Sequence, residues 1–359
     1  MKLKGQRYCL QKVSFDLSYR KGLMIMGNFL SLIAVENKKL WKRISTVIMI
    51  PILIALVFAW GGLEKLITNM AMNEAGNQTT SQSQSVGNWK DKLKAENTML
   101  QKAIDEAEKS EWLQAKQGID SDKRKIAENE YRINHDMEPS KDGNPDFWEV
   151  VTSLSVWSFI ALLAVIACTA LVAGEFSEGT MKTMIPRPFT RWQILTAKLI
   201  VVVLYTLVLT VVAFISALIV SLIFFGSHGI GDNVFLWIGG KIFCVPGLVG
   251  SLADFGLNFL TALVYVIFTF AICAMSRSRA LATGLSIFLM LGGSFTTELA
   301  MNFSWGKYIF FADTNFSYFI TKGAPFYGIT LASALIICAA YCVAFLAAGY
   351  VIFMKRDIA

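Results

Sequence analysis

The sequence predicts an all-α polytopic membrane protein, whose chain crosses the lipid bilayer several times. Of its 359 residues, 55% are hydrophobic and only 16% are charged, whereas a soluble domain carries about a quarter charged residues. The apolar residues are also gathered into long runs without a charge. Roughly 20 apolar residues in a helix cross a hydrocarbon core of about 30 Å, and several runs approach or exceed that length.

Six runs are predicted to be transmembrane helices. None of them contains Asp, Glu, Lys, Arg or His, so their side chains are compatible with lipid. Pro51 interrupts the first run, which a membrane helix tolerates when its neighbours satisfy the freed backbone group. The predicted spans are residues 44–63, 150–173, 199–225, 255–276, 280–297 and 327–354.

The distribution of charge predicts the orientation of these spans. With the N-terminus inside, the segments predicted to face the cytoplasm hold 18 Lys/Arg against 5 Asp/Glu, and the rest of the chain holds 15 against 21. This asymmetry follows the positive-inside rule and places both termini in the cytoplasm and the chain in the cell membrane. It also explains the net charge of +7 without a nucleic-acid partner. The inner segments are residues 1–43, 174–198, 276–279 and 355–359.

Residues 1–43 are predicted to be a cytoplasmic extension followed by an amphipathic helix. Residues 1–25 are basic and lack the apolar core of a cleavable signal. Met26 is itself a possible translation start, and the sequence leaves the choice between Met1 and Met26 open. From Phe29 onward, an apolar stretch is followed by a basic one, which favours a helix lying at the inner membrane face.

Residues 64–149 are predicted to form a helical extracytoplasmic domain between the first two spans. They hold 12 Lys/Arg against 17 Asp/Glu and contain no cysteine, so no disulfide stabilises them. Residues 77–87 have the composition of a flexible linker, and residues 89–133 have the charge and apolar spacing of a helical hairpin. Residues 298–326 form a second outer segment, whose aromatic residues are typical of a membrane interface.

The residues that carry enzyme chemistry are largely missing from the sequence. The two histidines stand in no His-Glu-x-x-His frame, no Gly-x-Ser-x-Gly motif occurs, and no cysteine pair has the spacing of a metal or redox site. Residues 174–179 have the glycine spacing of a phosphate-binding loop but are followed by Thr180 and Met181 where Lys and Ser/Thr are required. We therefore predict neither an enzyme nor a cofactor or metal site.

The inner loop of residues 174–198 is the most informative segment. Because the spans contain no ionisable residue to relay protons or bind ions, energy for transport is expected to enter from a cytoplasmic partner. The loop begins with acids, ends with bases and turns at Pro186 and Pro188, and Thr190 is a predicted N-cap of the helix that enters the third span. An ordinary interfacial loop is the alternative interpretation.

This loop resembles the signature of ABC-2-type permeases, the membrane-spanning subunits of ABC exporters. That signature is similar to Gly-Glu-x-x-x-Gly-Thr, then Arg-Pro-x-x-Arg and then Lys. The order of an amphipathic inner helix, a first span, a large outer domain and five further spans is also similar. The resemblance implies that the loop contacts a separate ATPase subunit, with Glu178 beside the matching residues Glu175, Gly179, Thr180, Arg187, Pro188, Arg191 and Lys198.

The resemblance implies an export permease that works with an ABC ATPase subunit, which binds the ATP, and with a second copy or a related permease chain. The alternative is a membrane sensor or immunity protein that binds an outer ligand through residues 64–149 without transport. An intramembrane enzyme is a third hypothesis, for which the spans offer no acid, base or nucleophile arrangement.

Overall fold

The computed structural model describes residues 29–78, 89–139, 146–154, 157–177, 189–276, 278–300, 303, 305–309 and 314–355. Several predicted features lie outside these residues. They are the N-terminal extension before residue 29, most of the linker of residues 77–87, residues 178–188 of the inner loop and the last residues of the basic tail.

The described part of the chain begins with two helices that meet at a corner. Helix α1 spans residues 29–42 and α2 spans Ile44–Gln78, with Pro51 inside it. The hydroxyl of Thr46 donates to the backbone carbonyl of Arg43 (2.7 Å), and the hydroxyl of Tyr205 donates to the carbonyl of Thr46 (2.8 Å). These bonds hold the corner between α1 and α2 in place and connect it to Tyr205.

A helical hairpin follows, as the sequence predicts. Helix α3 spans Trp89–Lys109, a 3₁₀ turn spans Leu113–Lys116, and α4 spans Ile119–Asn134 and packs against α3. The amide of Asn129 on α4 donates to the side chains of Asn97 (2.8 Å) and Glu96 (3.3 Å) on α3. Only a few apolar side chains of the hairpin are buried, because most of its surface is charged and exposed.

The next four helices precede and follow the inner loop along the chain. Helices α5, α6 and α7 span Phe147–Ser153, Trp157–Leu171 and Ala173–Ser177, and α8 spans Arg191–Phe224. Thr190 is the N-cap of α8, as predicted, and its amide donates to the side-chain oxygen of Gln193 (2.9 Å) in a capping box.

The stretch before the fourth span contains a small antiparallel sheet, which the all-α prediction lacks. Strand β1 (Asn233–Ile238) pairs with β2 (Lys241–Pro246) around Gly239 and Gly240, whose φ angles are +60° and +80°. Two glycines between apolar β-branched and aromatic runs are a recognised hairpin signal, because both central residues of a type I′ turn require positive φ. The predicted spans leave these residues between the third and fourth spans, without assigned secondary structure.

The C-terminal half of the chain is again helical. Helix α9 spans Gly247–Met275 and α10 spans Arg279–Ala300. A 3₁₀ turn at Gly306–Tyr308 and the short helix α11 (Phe316–Thr321) then lead to α12 (Leu331–Lys355).

Five stretches of helix in the described part of the chain are long and apolar enough to cross a membrane. The apolar part of α10, Arg279–Gly293, is shorter than such a span, so the predicted fifth crossing, residues 280–297, stays a prediction. The observed helices also extend beyond the predicted charge-free runs and include charged residues near their ends. The five stretches are Ile44–Met70, Phe147–Glu175, Arg191–Phe224, Gly247–Met275 and Leu331–Lys355.

The main apolar core lies where α6, α8 and α9 meet, and α2 packs on it through α8. Small residues on α6, including Ala161, Ala164 and Ala167, are fully buried and let the helix backbones approach closely. Cys168 and Cys273 lie in this core as buried side chains that form no disulfide.

Candidate functional site

Three helices bring a cluster of charged side chains together where α1, α7 and α8 meet. Glu36 of α1 and Lys198 of α8 are fully buried, and Glu175 of α7 is 3% exposed. Lys39, one turn after Glu36 on α1, covers the cluster and is partly exposed. We call these four residues, Glu36, Lys39, Glu175 and Lys198, the charge cluster.

The four groups alternate in sign and contact one another. The ammonium nitrogen Nζ of Lys198 lies 2.7 Å from Oε2 of Glu36 and 2.6 Å from Oε2 of Glu175. Nζ of Lys39 lies 2.8 Å from Oε1 of Glu36 and 3.2 Å from Oε1 of Glu175. Each lysine therefore bridges the same two carboxylates, and the cluster is formally neutral.

Mutual neutralisation explains how charges persist at a buried position, because an unpaired ion loses most of its hydration there. Burial by itself raises the pKa of the Glu36 carboxyl, which lies on α1 outside the candidate spans. The ammonium groups of Lys198 and Lys39 outweigh burial and hold that pKa below its ordinary value. Glu36 is therefore ionised at neutral pH.

Arg43 attaches the same region to α6. Its guanidinium donates to the backbone carbonyl of Ala170, one of the last carbonyls of α6. A cation at this position satisfies a carbonyl without a helical partner and interacts favourably with the negative end of the helix dipole. The corner between α1 and α2 is thus connected to α6 as well as to α7 and α8.

The structure describes three of the residues that match the ABC-2-type signature. Glu175 and Lys198 meet in the charge cluster, and Nη1 of Arg191 lies 3.5 Å from the carbonyl of Met354 on α12. The carboxylate of Glu175 therefore contacts lysines of its own chain. The remaining predicted residues lie outside the described part: Glu178, Gly179, Thr180, Arg187 and Pro188.

Glu36 and Lys39 are site residues that the sequence analysis missed. The signal was present, because Glu36 is the single acid of an otherwise basic segment and stands four residues after Leu32 and four before Leu40. Both leucines are buried, so this spacing puts Glu36 on the buried face of α1. A lone carboxylate on a buried helix face indicates a basic partner elsewhere in the fold.

A second buried polar group lies in α9. The helix begins eight residues before the predicted span, which brings Asp254 into the candidate span. The amide of Asn258 donates to Oδ2 of Asp254 (3.1 Å), the hydroxyl of Ser317 donates to Oδ1, and the hydroxyls of Tyr265 and Thr314 lie 3.0 Å apart. These bonds hold the residues around the start of α11 against α9.

No group of three or more His, Cys, Asp or Glu side chains with the geometry of a metal site occurs among the residues that the structure describes. The charge cluster offers carboxylates only to ammonium groups that already contact them. Its arrangement is suited to joining helices rather than to holding a metal ion.

The fold and the charge cluster define the class of this chain as a helical membrane protein with an ion-paired junction between its helices. The chain belongs to the family described as "Protein of unknown function (DUF2705)", whose sequence model matches residues 127–359. It is similar to the uncharacterized protein YhcI of Bacillus subtilis (strain 168), with 33% identity over 92% of this chain and 99% of that protein. It is also similar to the uncharacterized membrane protein YdbK of the same organism, with 31% identity over 55% of this chain and 77% of that protein.

Proposed function

We propose that the chain is the permease subunit of an ABC exporter and forms the translocation path through the cell membrane. In this proposal a separate ATPase subunit binds and hydrolyses ATP on the cytoplasmic side. The inner loop of residues 174–198 contacts that subunit, and two permease chains combine with two ATPase subunits.

The observation that carries the proposal is the ion pair between Glu175 and Lys198. The two residues stand at opposite ends of the segment that resembles the ABC-2-type signature, and their charged atoms lie 2.6 Å apart. The pair connects the end of α7 to the first turns of α8, so the two ends of the segment between these helices lie side by side. A loop whose ends are joined in this way is suited to transmit a push from a partner to both helices together.

The rest of the charge cluster extends this route to α1. Glu36 and Lys39 on α1 contact both ends of the loop, and Arg43 binds the end of α6. A displacement of the loop therefore changes contacts on α1, α6, α7 and α8. Because hydrogen-bonded ion pairs have short contact distances and a defined geometry, such a junction favours movement of the four elements as one unit.

Purification of the intact complex tests the proposal. The full chain is tagged and isolated from native membranes in mild detergent, and the bound proteins are identified by mass spectrometry and assayed for ATP hydrolysis. We expect an ABC ATPase in stoichiometric amount. The double variant Arg187→Ala/Arg191→Ala should reduce its recovery at least tenfold, because it removes two cations of the inner loop.

The matched control is Lys92→Ala/Lys102→Ala, which removes two exposed cations of α3 and should leave ATPase recovery unchanged. Failure of the wild-type chain to recover an ATPase would refute the transport proposal and favour the sensor or immunity alternative. Equal recovery by the wild type and by the inner-loop variant would refute the role of residues 174–198.

A further inference from the structure

The tip of the α3–α4 hairpin carries an exposed tryptophan without a place in the proposed transport function. Trp112 is 77% exposed, more than any other large hydrophobic side chain in the described part of the chain. It stands just before the 3₁₀ turn Leu113–Lys116, at the tip of the hairpin. Because its ring is apolar and its N–H is polar, an exposed tryptophan is suited to a boundary between an apolar phase and water.

The hairpin tip is held against the segment that precedes α12. Oδ2 of Asp120, in the first turn of α4, accepts hydrogen bonds from the backbone amide of Ala324 (2.6 Å) and from the indole of Trp237 (3.0 Å). Nζ of Lys116 lies 5.8 Å from the ring centre of Tyr327. These contacts fix the position of the hairpin tip next to the segment that leads into α12.

The start of α12, next to the hairpin tip, corresponds to the membrane interface. Helix α12 is 25 residues long, or about 37 Å, which exceeds a hydrocarbon core of about 30 Å, so its ends reach the headgroup layers. Tyr327 precedes the start of α12 by four residues and is 46% exposed. Trp112 precedes Lys116 by four residues, or about 8 Å along a 3₁₀ turn. Trp112 therefore lies within about 8 Å of the lysine that contacts Tyr327, close to the segment that precedes α12.

The neighbourhood of the tip is a lipid-facing edge of the molecule. Only 17% of the apolar window of α12 is buried within the chain, the lowest value among the five candidate spans. The tip beside the start of α12 thus stands over the lipid that surrounds that helix.

From this placement, we infer that the hairpin tip is a lipid-binding surface, in which the indole of Trp112 inserts among lipid headgroups next to α12. The occupant is the phospholipid interface, where tryptophan is enriched because its ring is apolar and its N–H is polar. The anchor keeps the tip of the hairpin at the bilayer surface. The inference depends on α12 as a membrane helix and is independent of the partner ATPase.

Fluorescence quenching by brominated phospholipids tests this surface. The full chain is reconstituted in vesicles of phosphatidylcholine and phosphatidylglycerol, with bromines near the top of the acyl chains, and the spectrum of Trp112→Phe is subtracted from that of the wild type. The difference, which isolates Trp112 from the other eight tryptophans, should lose more than half its intensity to bromine. Aqueous iodide should quench it less than twofold.

The control subtraction uses Trp89→Phe, at the opposite end of α3, where Lys90 lies over the ring and pairs with Asp136. Equal bromine quenching of both components would overturn the inference, and so would a Trp112 component quenched by iodide and unaffected by bromine. A third outcome would also overturn the inference. If the Trp112 emission is blue-shifted and insensitive to bromine, and this component disappears when the protein is diluted in lipid, the indole contacts another protein and not lipid. If Trp112→Phe elutes as an aggregate, Trp112→Tyr gives the same subtraction.

Discussion

Replacement of Lys198 by methionine removes the central charge of the cluster and keeps most of the side-chain volume. In the native structure Lys198 bridges Glu36 and Glu175 at 2.7 and 2.6 Å, and it is fully buried. In Lys198→Met, two carboxylates share the single, partly exposed ammonium of Lys39. The site then carries an uncompensated negative charge in a position that water reaches poorly.

The expected cost follows from the burial of the groups that remain. Loss of one partner of a buried ion pair destabilises a protein by about 3–5 kcal/mol, because the other charge stays buried. With about 2–4 °C per kcal/mol for a chain of moderate size, Lys198→Met should lower the melting temperature by roughly 6–20 °C. The matched control Lys102→Met removes an exposed lysine of α3 and should shift it by less than about 2 °C.

The assay is thermal unfolding of the purified chain in detergent, followed by size-exclusion chromatography after heating. A double-mutant cycle with Glu36→Gln measures the pair itself, and the double variant should recover part of the loss, with a coupling energy of about 1–3 kcal/mol. If Lys198→Met melts within 2 °C of the wild type, or if the two changes are additive, the cluster does not hold the helices together and our account of the junction is wrong.

Two further predictions concern the folded chain. Because the folded-state pKa of Glu36 is lowered, its ion pairs stabilise the chain above the unfolded pKa of about 4.3, and this stability is lost as pH falls through the folded pKa. The melting temperature of the wild type should therefore fall more steeply below about pH 4.3 than that of Glu36→Gln, and parallel curves would contradict this. A Cβ at Gly247 would lie 2.0 Å from the ring of Trp148, so Gly247→Ala should cost about 1–3 kcal/mol, whereas Gly256→Ala, with open space around the glycine, should be neutral or slightly stabilising. Equal melting temperatures of the two alanine variants would refute the close contact.

The class of this chain was determined by its sequence because the bilayer selects for composition and length. Long charge-free runs predict membrane helices independently of any neighbour. The α3–α4 hairpin and the N-cap at Thr190 were also predictable, because helix spacing and capping are local properties of the chain. The β1–β2 hairpin was equally local, and its Gly239–Gly240 signal was present but misinterpreted.

The charge cluster was decided by the tertiary structure alone. Glu36 and Lys198 are 162 positions apart, and their attraction acts only once α1 and α8 have packed side by side. The same applies to the position of Trp112, which depends on the contact of Asp120 with the segment before α12. Sequence patterns encode the solvent that each face of a helix meets, whereas the pairing of charges from distant segments depends on how the helices pack in three dimensions.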